Sequence, residues 1–273
     1  MLRMKTETGW WLITHPDHAR LAGEFAAAWG NEAFRRPEPR ERVLFGIRAH
    51  DDGWVERDAH PRITREGKPS AFSTELVGKY SAFEEIDLTE YLAVRERAVR
   101  IIAEQDPYAG LLVALHTNDL LKNRADRSTI AEEQLPLLDH FLEQQFVWRQ
   151  QLIQWIQNHP LLDAKAKEAS TIREHFRLLQ ACDNLSLLAC VDYREPADLL
   201  HPLPLCDGGK TEVRVRPVGV REFRLEPWPF AEPEIRFSFP ARHVAGELFT
   251  DSATLEAAFV AVPVERLEVV LRG

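Results

Sequence analysis

Apolar residues change their rhythm once along this chain, near residue 205. Before that point they recur at helical spacing; after it they alternate, and prolines become dense. The first period predicts a helix over residues 15–29, with an inward stripe of His18, Leu21, Ala22, Phe25 and Trp29. Thr14 or His15 suits its cap, Pro16 its first turn and Asp17 the positive end of its dipole. A second helix is expected over 40–52, stopped by Gly53, with Val43, Leu44 and Ile47 running into His50 and Asp51. Residues 54–86 hold no sustained period, as a functional loop would. Further helices are expected over 87–105, after Pro107 through His116 and Asp119, from the pair Thr129 and Glu132 to residue 158, and over 164–190. In the tail, 212–216, 234–239 and the run Leu267, Val269, Leu271 alternate, predicting three to five strands. The expected fold class is mainly α: a helical bundle over 1–205 with a small C-terminal antiparallel β element over 206–273 packed on it.

Composition narrows the function classes. The 34 basic and 43 acidic residues leave a net charge of −9, which repels phosphate backbones, so no nucleic-acid partner is expected. A small phosphorylated ligand stays open, because a bound cation reverses the potential locally. The three cysteines, Cys182, Cys190 and Cys206, have no CxxC spacing and argue against a disulfide framework or a zinc knuckle. No apolar run approaches the ~20 residues of a membrane span. The opening MLRMKTETGWWLI lacks the apolar core and cleavage site of a signal peptide. A cytoplasmic protein without a membrane partner is the expectation, and the β tail is compatible with a homodimer. Glycine-rich phosphate loops and the GxSxG elbow are absent.

Polar residues interrupt the apolar stripes at three places. His18 lies on the first stripe, His50 and Asp51 extend the second, and Asp183 breaks the run LLQACDNLSLLAC. A buried carboxylate needs a cation, a metal or several donors. Taken singly, each has a plainer reading: His18 as a core histidine, His50 and Asp51 as a helix end, Asp183 as the partner of an arginine. One divalent metal accounts for all of them together. Imidazole and carboxylate suit manganese, iron, nickel, zinc or, with more water, magnesium. Adjacent His and Asp on a helix point about 100° apart, so both reach one ion only near a helix end or bend.

The order His, then His-Asp, then a distant Asp among helices resembles the HD superfamily of metal-dependent phosphohydrolases. The stretches THPDHARLAGEFAAAW, AHDDGW and LLQACDNLSLLAC are more specifically similar to an uncharacterised family with that core. There the residue matching His15 is often Gln, which favours His18 as the ligand. The resemblance implies His18, His50, Asp51 and Asp183 as metal ligands. It implies hydrolysis of a phosphate ester on a small phosphorylated metabolite or nucleotide, with a metal-bound water as nucleophile. In that reading Asp52 orients the water, and His116 lines the pocket or packs as a core histidine. Arg62, Arg65 and Lys68 steady the phosphate from a loop that acts as a lid, and Trp54 walls the site or packs in the core. Two alternatives keep the fold: a di-iron oxygenase with His116 as an added ligand, and a non-enzymatic ligand-sensing or interaction module. The patch from Arg95 to Arg100 is read as a solvated helix face.

Overall fold

The computed structural model describes residues 1–72 and 87–273. Helix α1 (His15–Ala28) begins at Thr14, whose side chain accepts a hydrogen bond from the Asp17 backbone N–H. Helix α2 (Arg40–Ala49) ends earlier than its stripe suggests, and a 3₁₀ turn (Asp52–Trp54) leads directly into the short α3 (Val55–Ala59). Gly53 acts differently from a helix stop. A Cβ there would lie 2.3 Å from the Val94 carbonyl oxygen, so glycine lets the turn press against the next helix. That helix is α4 (Leu88–Gln105), followed by α5 (Pro107–Asp119), α6 (Leu135–Asn158) and α7 (Ala169–Cys190). Helix α6 starts later than the Thr129–Glu132 pair implies, because Asp126 caps a separate 3₁₀ turn, Arg127–Thr129. Residues 73–86 of the expected loop, and that part of its lid role, lie outside the described residues.

Helices α1, α2, α5 and α7 pack in a ring, α1 against α2 and α7, and α5 against the same two. Phe25, Val43, Ile47, Leu112, Leu179 and Leu185 fill it, none more than 1% exposed. Each such side chain contributes about 1.5–3 kcal/mol by leaving water, which anchors the helices that carry the polar residues described below.

The expectation of a mainly helical protein with a small C-terminal β element is overturned. Seven strands form one curled sheet in the order β1-β2-β8-β9-β7-β6-β3, and a separate pair joins β4 to β5. The strands are β1 (Leu2–Lys5), β2 (Gly9–Ile13), β3 (Ala197–Asp198), β4 (Leu203–Pro204), β5 (Lys210–Thr211), β6 (Arg214–Gly219), β7 (Glu222–Glu226), β8 (Glu234–Ala245) and β9 (Glu265–Arg272). The sheet is mixed, since β7 pairs parallel with β9 while its other pairings are antiparallel. Two of its strands come from the N-terminus, with Leu2 opposite Ile13 and Trp10 opposite Val244.

These strands escape a search for alternation because both faces of β2 are covered. Ile13 and Trp11 join the helical core, whereas Trp10 and Leu12 pack with Leu255 and Phe259 of α8 (Ser252–Ala261). A strand buried on both sides reads as a plain apolar run. Helix α8, capped by Asp251 through the Thr254 N–H, replaces part of the expected all-strand tail. Among the described residues no helix is long and apolar enough to cross a membrane.

Candidate metal centre

Four helices of the ring each deliver a histidine or carboxylate to one buried point. His18 comes from α1, His116 from α5 and Asp183 from α7, while His50 and Asp51 leave the end of α2. His50 is the C-cap of α2 and Asp51 has already left helical geometry (φ −114°, ψ 18°). That break turns two adjacent side chains toward the same place. All five are at most 5% exposed.

The ligand atoms fall into two overlapping groups, His18–His50–Asp51 and His50–His116–Asp183, the atoms of each within 4.8 Å of one another. His18 Nε2 lies 3.0 Å from Asp51 Oδ2, and His50 Nε2 lies 3.2 Å from Asp183 Oδ1. His116 Nε2 is 3.9 Å from Asp183 Oδ2. The structure therefore brings together all four ligands expected from sequence, and adds His116.

Hydrogen bonds behind the rings fix which nitrogens face inward. His50 Nδ1 donates to the Ile47 carbonyl oxygen at 2.7 Å, leaving Nε2 as the donor atom toward a cation. Ser186 spends its hydroxyl proton on the Asp183 carbonyl oxygen (2.8 Å), so it accepts from His18 Nδ1 (3.0 Å). His18 Nε2 then faces a carboxylate oxygen, a contact that needs a proton or a cation between the two atoms. His50 Nε2 meets only the Asp183 carboxylate, as an ion pair at 3.2 Å, and His116 Nδ1 is buried without a hydrogen-bond partner, as are Thr117 Oγ1 and Asn184 Oδ1 on the residues that follow His116 and Asp183 in sequence. Such orphans are rare in a closed core, and a bound cation is one way to satisfy them.

The electrostatics agree. Burial by itself would lower the His50 pKa, but the carboxylates of Asp51 and Asp183 outweigh it and raise it to about 9. Burial opposes ionisation of Asp183, yet His50, His116 and His18 hold its pKa at about 2. Burial, against Asp183, lowers His116 to about 3, so that ring is neutral. Two charged carboxylates, the neutral His116 ring and a His50 proton that a cation would displace suit a divalent ion of the manganese, iron, nickel or zinc kind.

Arg95 was missed by the solvated-face reading of residues 95–100, and is a correction to it. It is 7% exposed, and its Nη1 donates to Asp51 Oδ1 at 2.5 Å. Its guanidinium carbon lies 5.5 Å from the Trp54 ring centre and 5.1 Å from that of Tyr91. With burial opposing it, Arg95 keeps the Asp51 carboxyl well below the usual carboxylate range. The signal was present: Leu88, Leu92, Arg95, Val99 and Ile102 form one stripe at helical spacing.

The other expected residues are dispersed. Trp54 is buried and stacks on His15, ring centres 4.0 Å apart, forming a wall next to His18, whose ring lies 6.0 Å from that of His15. His15 in turn pairs with Asp58 Oδ2 at 3.0 Å, and the Met1 amino group lies 2.9 Å from Asp58 Oδ1. Burial, reinforced by that amino group, lowers His15 to about 4. Asp52 heads the 3₁₀ turn outside the cluster, and partial burial raises its pKa. Arg62 pairs with Glu90 at 3.0 Å and Lys68 with Glu66 at 2.8 Å. Among the described residues neither of these, nor Arg65, contacts the His–Asp cluster.

No curated protein and no solved structure matches this chain. A family model described as "Protein of unknown function (DUF3891)" matches residues 1–246, a span that includes every member of the cluster. The chain belongs to that family.

Proposed function

We propose that this protein is a metal-dependent phosphohydrolase of HD type that acts on a small phosphorylated metabolite or nucleotide. The observation that carries the reading is the convergence of His18, His50, Asp51, His116 and Asp183, buried, with inward-facing nitrogens and unsatisfied atoms. Their order along the chain is what resembles the HD superfamily. A divalent ion held there supplies a Lewis acid for a phosphoryl oxygen and a water acidic enough to attack at neutral pH.

The chain's own residues have separable tasks in this reading. Ile47 and Ser186 hold His50 and His18 in the tautomer that presents Nε2. Arg95 occupies Asp51 Oδ1, which leaves Oδ2 for the ion and keeps the carboxylate charged. Trp54 and His15 close one side against water. Asp52, next to Asp51 at the head of the 3₁₀ turn, keeps the water-orienting role in this reading.

The two-iron oxygenase is supported by one observation, the second ligand group around His116. His50 weighs against it, because Nδ1 is already bonded to Ile47 and one nitrogen serves one ion. The test is elemental analysis of wild type beside Asp183→Ala and His50→Ala, followed by a phosphate-ester panel with the loaded protein. One equivalent of metal, lost in both folded variants, with metal-dependent ester cleavage, is the expected result. Two irons with dioxygen uptake would replace the hydrolase by the oxygenase. A wild type that takes up no manganese, iron, nickel or zinc ends the proposal.

A further inference from the structure

A cavity of about 340 Å³ opens between the N-terminal turn of α1, α3, β8 and α8. Sites for small molecules commonly measure about 300–1,000 Å³. None of the five residues of the His–Asp cluster lines it. Leu12, Pro16, Val55, Pro240 and Phe259 give it apolar walls. Val55 and Val264, which also line it, are each 53% exposed, so its mouth is apolar as well.

One cation interrupts this surface. Phe239 and Ala241 of β8 face the helical core, whereas Val244 packs with Leu255 and Phe259 of α8. The two-residue period of a strand therefore sets Arg242 on the α8 face beside Val244, where an apolar residue would be the rule. Arg242 stands opposite Leu12 of β2, and its guanidinium carbon lies 5.0 Å from the Phe259 ring centre. Its Nη1 donates to the Val262 carbonyl oxygen. Among the described residues its Nε and Nη2 have no acceptor and its charge has no carboxylate partner. The other charged groups of the lining are already matched. Arg20 pairs with Asp17 at 3.4 Å, and Asp58 holds the Met1 amino group at 2.9 Å and His15 at 3.0 Å. Apolar walls thus surround a single uncompensated positive charge.

We infer that this cavity binds a small monocarboxylate with an apolar body, its carboxylate on Arg242 and its body against Leu12, Pro16 and Phe259. The open edge of the guanidinium, Nε with Nη2, offers two parallel N–H bonds that match the two oxygens of a carboxylate. Asp17 and Asp58 in the same wall repel a second negative charge, which favours a monoanion over phosphate. The site stands whether or not the metal centre is a hydrolase.

The experiment is calorimetric titration of hexanoate into chelator-treated and metal-loaded protein, with 1-hexanol, hexylamine and inorganic phosphate as comparison ligands. Hexanoate should bind both forms alike, at least tenfold more tightly than hexanol or phosphate, and hexylamine should not bind. Arg242→Gln should weaken hexanoate at least tenfold. Arg20→Gln should weaken it less than twofold, because Asp17 already offsets that charge. If Arg242→Gln fails to fold, Val264→Glu, at an exposed position of the mouth, should weaken hexanoate by adding a repelling charge. No hexanoate binding to wild type overturns the site, as does binding unchanged in Arg242→Gln or Val264→Glu. Hexanol or phosphate bound as tightly as hexanoate overturns the monocarboxylate assignment. Hexanoate bound by the metal-loaded form alone would place it on the metal and overturn the cavity as its site.

Discussion

One turn along from His116 and Asp183, helices α5 and α7 bring a second polar pair together, Asp119 and Gln180. Here every group finds a partner within the chain. Asp119 Oδ2 accepts from Gln180 Nε2 at 2.7 Å and from Arg124 Nε at 2.8 Å, and Oδ1 accepts from Asn123 at 2.7 Å. Gln180 Oε1 accepts from His201 Nε2, tying in the chain after α7. Neither Asp119 nor Gln180 appears among the buried atoms without a partner, whereas His50, His116, Thr117 and Asn184 do. The same two helices thus carry a polar cluster that closes on itself and one that does not. The closed one is a clasp; the open one is the candidate site.

Metal removal should separate the two most sharply. Anything that binds only the folded state stabilises it, by about 4 kcal/mol at a thousandfold excess over Kd. Chelation should therefore lower the melting temperature of the loaded wild type by about 10 °C and leave that of Asp183→Ala where it was. An unchanged wild-type transition would put the two clusters in the same class.

A smaller effect should come from the clasp. Asp119→Ala takes the shared acceptor away from Gln180 Nε2 and Arg124 Nε. It should cost about 2 kcal/mol of stability, with one equivalent of metal retained. Loss of metal in that variant would mean that the clusters are coupled.

The smallest effect is a pH dependence confined to the open cluster. In metal-free protein the His50 pKa is raised from 6.5 to about 9 by Asp51 and Asp183 against the opposing pull of burial. The proton is therefore held more tightly folded than unfolded. Its contribution is complete below pH 6.5 and fades as pH rises through about 9. The stability difference between metal-free wild type and His50→Gln should shrink over that window, as urea titrations at several pH values would show. Metal must displace this proton, so apparent affinity should climb toward pH 9. A flat profile would mean that His50 does not face the carboxylates in solution.

Much of the site was legible because burial and polarity conflict openly in a one-dimensional pattern. His18 and Asp183 sit on apolar stripes, and His50–Asp51 stand at a helix end, so the cost of burying them is plain from the order of residues alone. Arg95 lay equally on a stripe, and it was hidden by its own type: arginine runs usually face water, and nothing local says that Asp51 waits opposite. Asp119 looked like any helical carboxylate, since its partner Gln180 is distant in sequence.

By itself, then, the sequence determined where the helices of the ring run and which of their residues conflict with an apolar core, because both are set by local period and side-chain chemistry. Tertiary structure decided that residues 2–13 and 214–272 share one sheet, since strand pairing joins distant segments and β2 is covered on both faces. It also decided which polar cluster closes and which stays open. That depends on whether donors and acceptors from different helices arrive within hydrogen-bonding distance, and spacing along the chain does not record it.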